Sequence, residues 1–201
     1  VAENQALLRE LQHRVKNSFM LVSGMVELMK DTVHGDEALA VIDEIGTRIM
    51  AVSEMYSLLY QSESVHEIAL HDYLSRISKS LVGMALNVTL EERYESVTLP
   101  VRQAVPVGII IAEILTNAIK YAFPGTGGGT ITLTMGRERQ DVVIEVVDDG
   151  PGMPDGTCVC CAPGSLGLNL VQNLARQLNG KFTVCNSPGT ACVLRFPLVS
   201  V

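Results

Sequence analysis

Three residues in the middle of the chain, Glu113, Asn117 and Lys120, stand at the spacing i, i+4, i+7. On a helix they share a stripe of about 60°, while Ile111, Ile114, Leu115, Ala118 and Ala122 take the opposite side. A carboxylate, an amide oxygen and an ammonium in one line suit a metal–phosphate group. Further on, Asp148-Asp149-Gly150-Pro151-Gly152 places an acid at the end of a strand-like run and opens a turn with two glycines. Such a turn lets backbone approach a ligand closely. Together the two segments predict a nucleotide pocket. Each alone has a plainer reading, because acid–base pairs on helices often only solvate an exposed face and Asp, Gly and Pro dominate ordinary turns. Tyr121 suits core packing better than stacking on a base.

A second chemical feature lies far upstream, in His13-Arg14-Val15-Lys16-Asn17. With Leu7 at zero on a helical wheel, His13 falls at about 240°, opposite an apolar arc centred near 60°. It is expected to face solvent. An imidazole with a pKa near 6.5 keeps a neutral ring nitrogen at pH 7, as a phosphoryl acceptor requires. Arg14 and Lys16 could offset the charge of an approaching triphosphate. Glu10 or Asn17 could hold the other ring nitrogen.

The elements that must position these groups fall into two parts. Residues 3–30 and 37–61 read as amphipathic helices, the first seamed by Leu7, Leu11, Val15, Ser18, Val22, Met25 and Met29, the second by Ile42, Ile45, Ile49, Val52, Tyr56 and Leu59. The polar break at 31–36 joins them as an antiparallel hairpin. Two such seams leave apolar surface wet, so pairing of two hairpins into a four-helix bundle is expected. From about 65 the pattern changes. A helix is predicted over 70–83, a strand over 88–94, and a helix from Pro106, at its first turn, to Phe123. Strands follow at 131–135 and 142–147 around a turn at 136–141, then a loop at 150–164 and a helix at 168–178 stopped by Asn179-Gly180. A hairpin of 182–185 and 191–196 closes the chain. Helices alternating with antiparallel strands predict an α/β sandwich, helices on one face of a mixed sheet. The domains are drawn at 1–64 and 65–201.

Composition bounds the partners. The net charge is −7 and no basic stripe stands out, which argues against a nucleic-acid surface. No membrane span or signal peptide is expected. An odd count of five cysteines, three of them at Cys158, Cys160 and Cys161, favours reduced thiols and a cytoplasmic setting. The chain begins inside a helical pattern, so a sensor segment is expected upstream.

With these residues in view, the first helix pair resembles the dimerisation and phosphoacceptor domain of sensor histidine kinases, nearest the HWE-related subfamily whose signature reads H-R-x-K-N. Residues 65–201 resemble the GHKL (Bergerat) ATP-binding domain shared with gyrase and MutL. The N-box corresponds to Glu113–Tyr121, the first glycine box to Asp148-x-Gly150-x-Gly152, and the second, in reduced form, to Gly164-Ser-Leu166-Gly167-Leu168. A Gly189-Thr190 pair stands at the last adenine-side contact. Four boxes in order behind an acceptor histidine make the likeness specific, and it spans nearly the whole chain. The class implied is α+β: a helical hairpin followed by a GHKL sandwich.

The resemblance implies that Asp148 accepts from the adenine amino group with help from Thr190, and that Asn117 supplies an oxygen to Mg²⁺. Lys120 contacts phosphate, Tyr121 lies near the base, and Gly164, Leu166, Gly167 and Leu168 shape a lid over the triphosphate. Glu113 orders the metal's water shell or assists proton removal from His13. ATP would phosphorylate His13, and a response-regulator receiver domain would take the phosphoryl group. A homodimer is expected, with a monomer as the alternative. Arg14 stands where the commonest subfamily has an acid, so Glu113 and Asn17 both remain acid–base partners. A different class, a GHKL ATPase driving conformational change without histidine phosphorylation, would lack the hairpin histidine.

Overall fold

The computed structural model describes residues 2–59, 67–83, 85, 87–124, 127–153, 166–186 and 189–198, without the side chains of 2–14, 16, 37, 44, 54–59 and 166. Two long helices, α1 (Ala2–Thr32) and α2 (Asp36–Leu59), form the anticipated hairpin. Gly35, at φ +111°, turns the chain between them. Val26 of α1 sits on Gly46 of α2, where an added Cβ would meet it at 3.7 Å.

The seam splits. Val26, Ile42 and Ala51 are buried, whereas Val22, Met25, Met29 and Ile45, read as seam residues, are exposed together with Met20, Leu21, Leu28 and Val41. Ala51 packs into the core of the second half, so α2 lies against the helices that follow it. The boundary drawn at 64 falls outside the described residues.

The second half is the expected sandwich. Its five-stranded sheet runs β2 (Val88–Tyr94), β4 (Gly129–Glu138), β5 (Asp141–Asp148), β7 (Thr190–Pro197), β6 (Lys181–Asn186). The β2–β4 pair is parallel and the others are antiparallel. Ile131, Leu133 and Met135 of β4 share the buried face with Val142, Ile144 and Val146 of β5, as period-two alternation requires. Three helices pack on that face: α3 (Leu70–Val82), α4 (Val101–Ala122) and α5 (Leu166–Gln177). A two-stranded ribbon of β1 (Glu67–Ala69) and β3 (Thr98–Pro100), too short to show periodicity in sequence, clips the start of α3 beside the start of α4.

Two boundaries differ from the sequence reading. Helix α4 begins at Val101, and Pro106 lies inside it. The missing backbone bond to residue 102 and the ring's clash with its carbonyl cost about 3 kcal/mol or more. Burial of Ala104, Val107, Ile110 and Ile111 offsets that loss, each large aliphatic contributing roughly 1.5–3 kcal/mol. The β4–β5 turn is Arg139-Gln140, with Arg139 at φ +58°, and Gly136 sits within β4. Helix α4 is also long and apolar enough to pass for a membrane span by composition, although no such run was expected. It is the central core helix, and its polar stripe carries the candidate chemistry.

Candidate functional site

Asp148 ends β5 and is buried at 5% exposure. Its Oδ1 accepts from the Gly150 and Thr190 backbone N–H groups, each at 3.1 Å. Both bonds go to one oxygen, so among the described residues no donor reaches Oδ2. The carboxylate is therefore aimed by the backbone, with one oxygen left for a ligand's N–H donor. Gly150 lies against Ala122 at the end of α4. Gly152 adopts φ +74°, a conformation that favours glycine and turns the chain toward Gly189. Asn186 then brackets the next residue: its Oδ1 accepts from the Met153 N–H at 3.0 Å and its Nδ2 donates to the Met153 carbonyl at 2.8 Å. Sequence reasoning missed that clamp.

Behind Asp148, burial pushes the Cys192 thiol up to about 12, aided by the charges of Asp148 and Cys185. Cys192 therefore stays a neutral thiol beside the pocket.

The stripe on α4 is graded. Lys120 is exposed, Asn117 is half-buried, and Glu113 is 3% exposed although it stands on the polar side. Two neighbours cover it. Arg48 of α2 donates from Nε to Glu113 Oε1 at 2.7 Å, a distance expected of a charge-assisted bond. On the other side, an added Cβ at Gly167, near the start of α5, would stand 2.6 Å from Oε2, so a larger residue there would make the carboxylate shift. Arg48 was not foreseen; its partner is distant in sequence and spacing gives no signal.

Tyr121 is 62% exposed and does not pack in the core as expected. The Lys120 ammonium lies 5.3 Å from its ring centroid, within cation–π range.

Glu113, Asn117 and Lys120 open into a cleft of about 900 Å³ whose far wall is the hairpin, through Val26 and Lys30 of α1 and Thr47 of α2. Lys30 is held by Glu27 and Asp43, both at 2.9 Å. Those side-chain bonds, Glu27 first, hold the Lys30 ammonium above its ordinary pKa.

The chain's donors fit a magnesium ion, because the Asn117 amide and Glu113 carboxylate are hard oxygen donors one turn apart. Among the described residues no three His, Cys, Asp or Glu side chains form a cage. An ion here would thus draw most ligands from phosphates and water. Leu168 is half-buried in the first turn of α5, whose backbone includes Leu166. Gly164 and Cys158, Cys160 and Cys161 lie outside the described residues. So does the His13 side chain, although position 13 falls inside α1 as expected.

Residues 10–85 match the family described as "Histidine kinase", and residues 103–200 match "Histidine kinase-, DNA gyrase B-, and HSP90-like ATPase". The blue-light-activated histidine kinase 2 of Erythrobacter litoralis is 29% identical over 95% of this chain and 57% of its own length. The sensor histidine kinase PdtaS of Mycolicibacterium smegmatis is 27% identical over 96% of this chain and 40% of its own. The chain thus spans about half the length of these relatives. Among solved structures, the histidine kinase domain of the Erythrobacter litoralis EL346 blue-light-activated kinase superposes with a TM-score of 0.68, at 25% identity, over 98% of this chain and 93% of that one.

Proposed function

Since this chain belongs to the histidine kinases, joining their helical domain to a GHKL ATPase fold, we propose that it transfers the ATP γ-phosphoryl group to its own His13. A ring nitrogen of His13 would attack the γ-phosphorus, the bond to the β,γ-bridging oxygen would break, and ADP would leave. The ring would then shed a proton to Glu113 or solvent. The observation that carries this reading is the shared cleft, in which Glu113, Asn117 and Lys120 face the chain's own hairpin.

The residue roles are those that the family resemblance implies, and the geometry is compatible with them. Asp148, fixed by two backbone amides, takes the adenine amino group, a contact that guanine's carbonyl would lose. Thr190, Gly150 and Gly152 frame the base. Asn117 and Lys120 hold the phosphates, with Leu166, Gly167 and Leu168 closing from α5. Magnesium bound at Asn117 would supply charge neutralisation on the phosphates. Catalysis would rest on positioning and electrostatics.

The phosphoryl group would pass to an aspartate of a response-regulator receiver domain, in the cytoplasm. The exposed apolar stripe of α1 supports homodimerisation through the hairpin.

The test is incubation with γ-labelled ATP and Mg²⁺, comparing the native chain with His13→Ala and Asn117→Ala. Acid-labile, base-stable label on the native chain alone is the expected result. Equal labelling of His13→Ala would overturn the reading.

A further inference from the structure

Glu113 is already engaged, and by the hairpin. Arg48 reaches it from α2 at 2.7 Å, with the arginine side chain 24% exposed and the carboxylate 4%. One turn along α2, the fully buried Ala51 carbonyl accepts from Tyr73 Oη of α3 at 2.9 Å. Arg48 and Ala51 stand i, i+3, on the same face of α2. Between them they pin that face to two helices of the nucleotide domain, and Gly108 of α4 gives the Tyr73 ring its passage.

This docking has a consequence for register. The α1 residues lining the cleft opposite Asn117 and Lys120 begin at Ser23 and continue through Val26, Glu27 and Lys30. His13 stands about 15 Å further toward the N-terminus, at 1.5 Å of helix rise per residue. Reaction needs the attacking nitrogen within roughly 3–3.5 Å of phosphorus. With α2 pinned here, the phosphate-side residues face the wrong stretch of the hairpin.

We propose that the Arg48–Glu113 ion pair is an autoinhibitory latch: it holds the nucleotide domain out of register with His13 and occupies a carboxylate that the reaction uses. Arg48 is a positioning residue that acts through Glu113. Opening the pair releases Glu113 from Arg48 and lets the nucleotide domain travel along the hairpin. The latch rests on the autophosphorylation reading above.

The test compares the native chain with Arg48→Gln, Arg48→Lys and Tyr73→Phe. Three quantities are followed: His13 labelling rate at saturating ATP, affinity for a fluorescent ATP analogue, and hydrogen exchange of α2 amides around Ala51 without nucleotide. Arg48→Gln is expected to label about three- to tenfold faster, to bind the analogue within twofold of native, and to exchange faster around Ala51. Arg48→Lys, which keeps the charge without the planar fork, should fall between. Tyr73→Phe, which loses the bond to Ala51 and keeps Arg48–Glu113, should shift rate and exchange in the same direction.

A folded Arg48→Gln that labels no faster than native overturns the latch. Should Arg48→Gln not fold, the same criterion passes to Tyr73→Phe. A native chain without label on His13 defeats the autophosphorylation reading instead. Exchange in the nucleotide-free protein then still decides the latch, and unchanged exchange in both variants overturns it.

Discussion

At the scale of single residues, the selectivity proposed for the pocket would rest on Asp148. Its Oδ1 is spent on two backbone amides, so Oδ2 is the atom that would meet a base. Asp148→Asn keeps the size but halves the acceptors and can present a donor where the adenine amino group needs an acceptor. A lost hydrogen bond to a charged group costs about 1.5–3 kcal/mol, so ATP affinity should fall roughly ten- to a hundredfold. Calorimetric titration would check this, and an unchanged affinity would remove Asp148 from the site. The placement of Asp148 at a strand end and of Asn117 and Lys120 on one helix was legible in the sequence because strand ends and helical spacing are local signals. Arg48 and the Asn186 clamp were not, since each meets a partner brought close only by the fold. Burial of Glu113 was likewise hidden, because periodicity places it on the polar side and cannot show that α2 and α5 cover it.

At the scale of elements, strong periodicity gave the helices and most strands to within a few residues, while their ends followed tertiary packing. Helix α4 runs through Pro106 because its whole first half is buried. The turn at Arg139-Gln140 carries no glycine, although a two-residue hairpin favours one, because Arg139 itself takes the positive φ, at +58°. What ties α3 to β2 was also invisible: Glu92 accepts from Ser75 at 3.1 Å, Ser78 at 2.7 Å and Tyr94 at 2.9 Å, with Lys79 at 3.3 Å. Desolvation pushes the Glu92 pKa up, but the bonds from Ser78, Tyr94, Lys79 and Ser75 outweigh it and hold it below the ordinary carboxylate value. The same burial, with the charge of Glu92, pushes Tyr94 up. A carboxyl depressed in the folded state stabilises fully above its unfolded pKa, and that stability is lost as pH falls through the folded value. Glu92→Gln should therefore cost about 1–2 kcal/mol at pH 7 and distinctly less at pH 3. Denaturant unfolding at the two pH values measures the difference, and an equal penalty at both would rule out the ionised form as the source.

At the scale of the whole molecule, the hairpin presents an imbalance that one chain does not resolve. Along α1, Met20, Leu21, Met25 and Leu28 are each more than 60% exposed and Met29 and Val22 more than 40%, while Val41 and Ile45 of α2 are each 40% exposed. A monomer's largest apolar patch is commonly some 300–600 Å², and larger ones mark interaction surfaces. Because the buried side of the hairpin already faces the nucleotide domain through α2, this stripe is the side left for a second copy. Side-by-side pairing of two hairpins would bury it as a four-helix bundle, with the nucleotide domains outside. Met25→Glu sets a charge in the middle of the stripe, where a two-fold interface would bring two copies of it together. The native chain should then run as a dimer in light scattering at micromolar concentration, and Met25→Glu as a folded monomer. The nucleotide pocket shares no side chain with Met25, so ATP-analogue affinity should be unchanged while the mass halves. A native chain that stays monomeric at tens of micromolar would defeat the bundle and leave the stripe to some other partner.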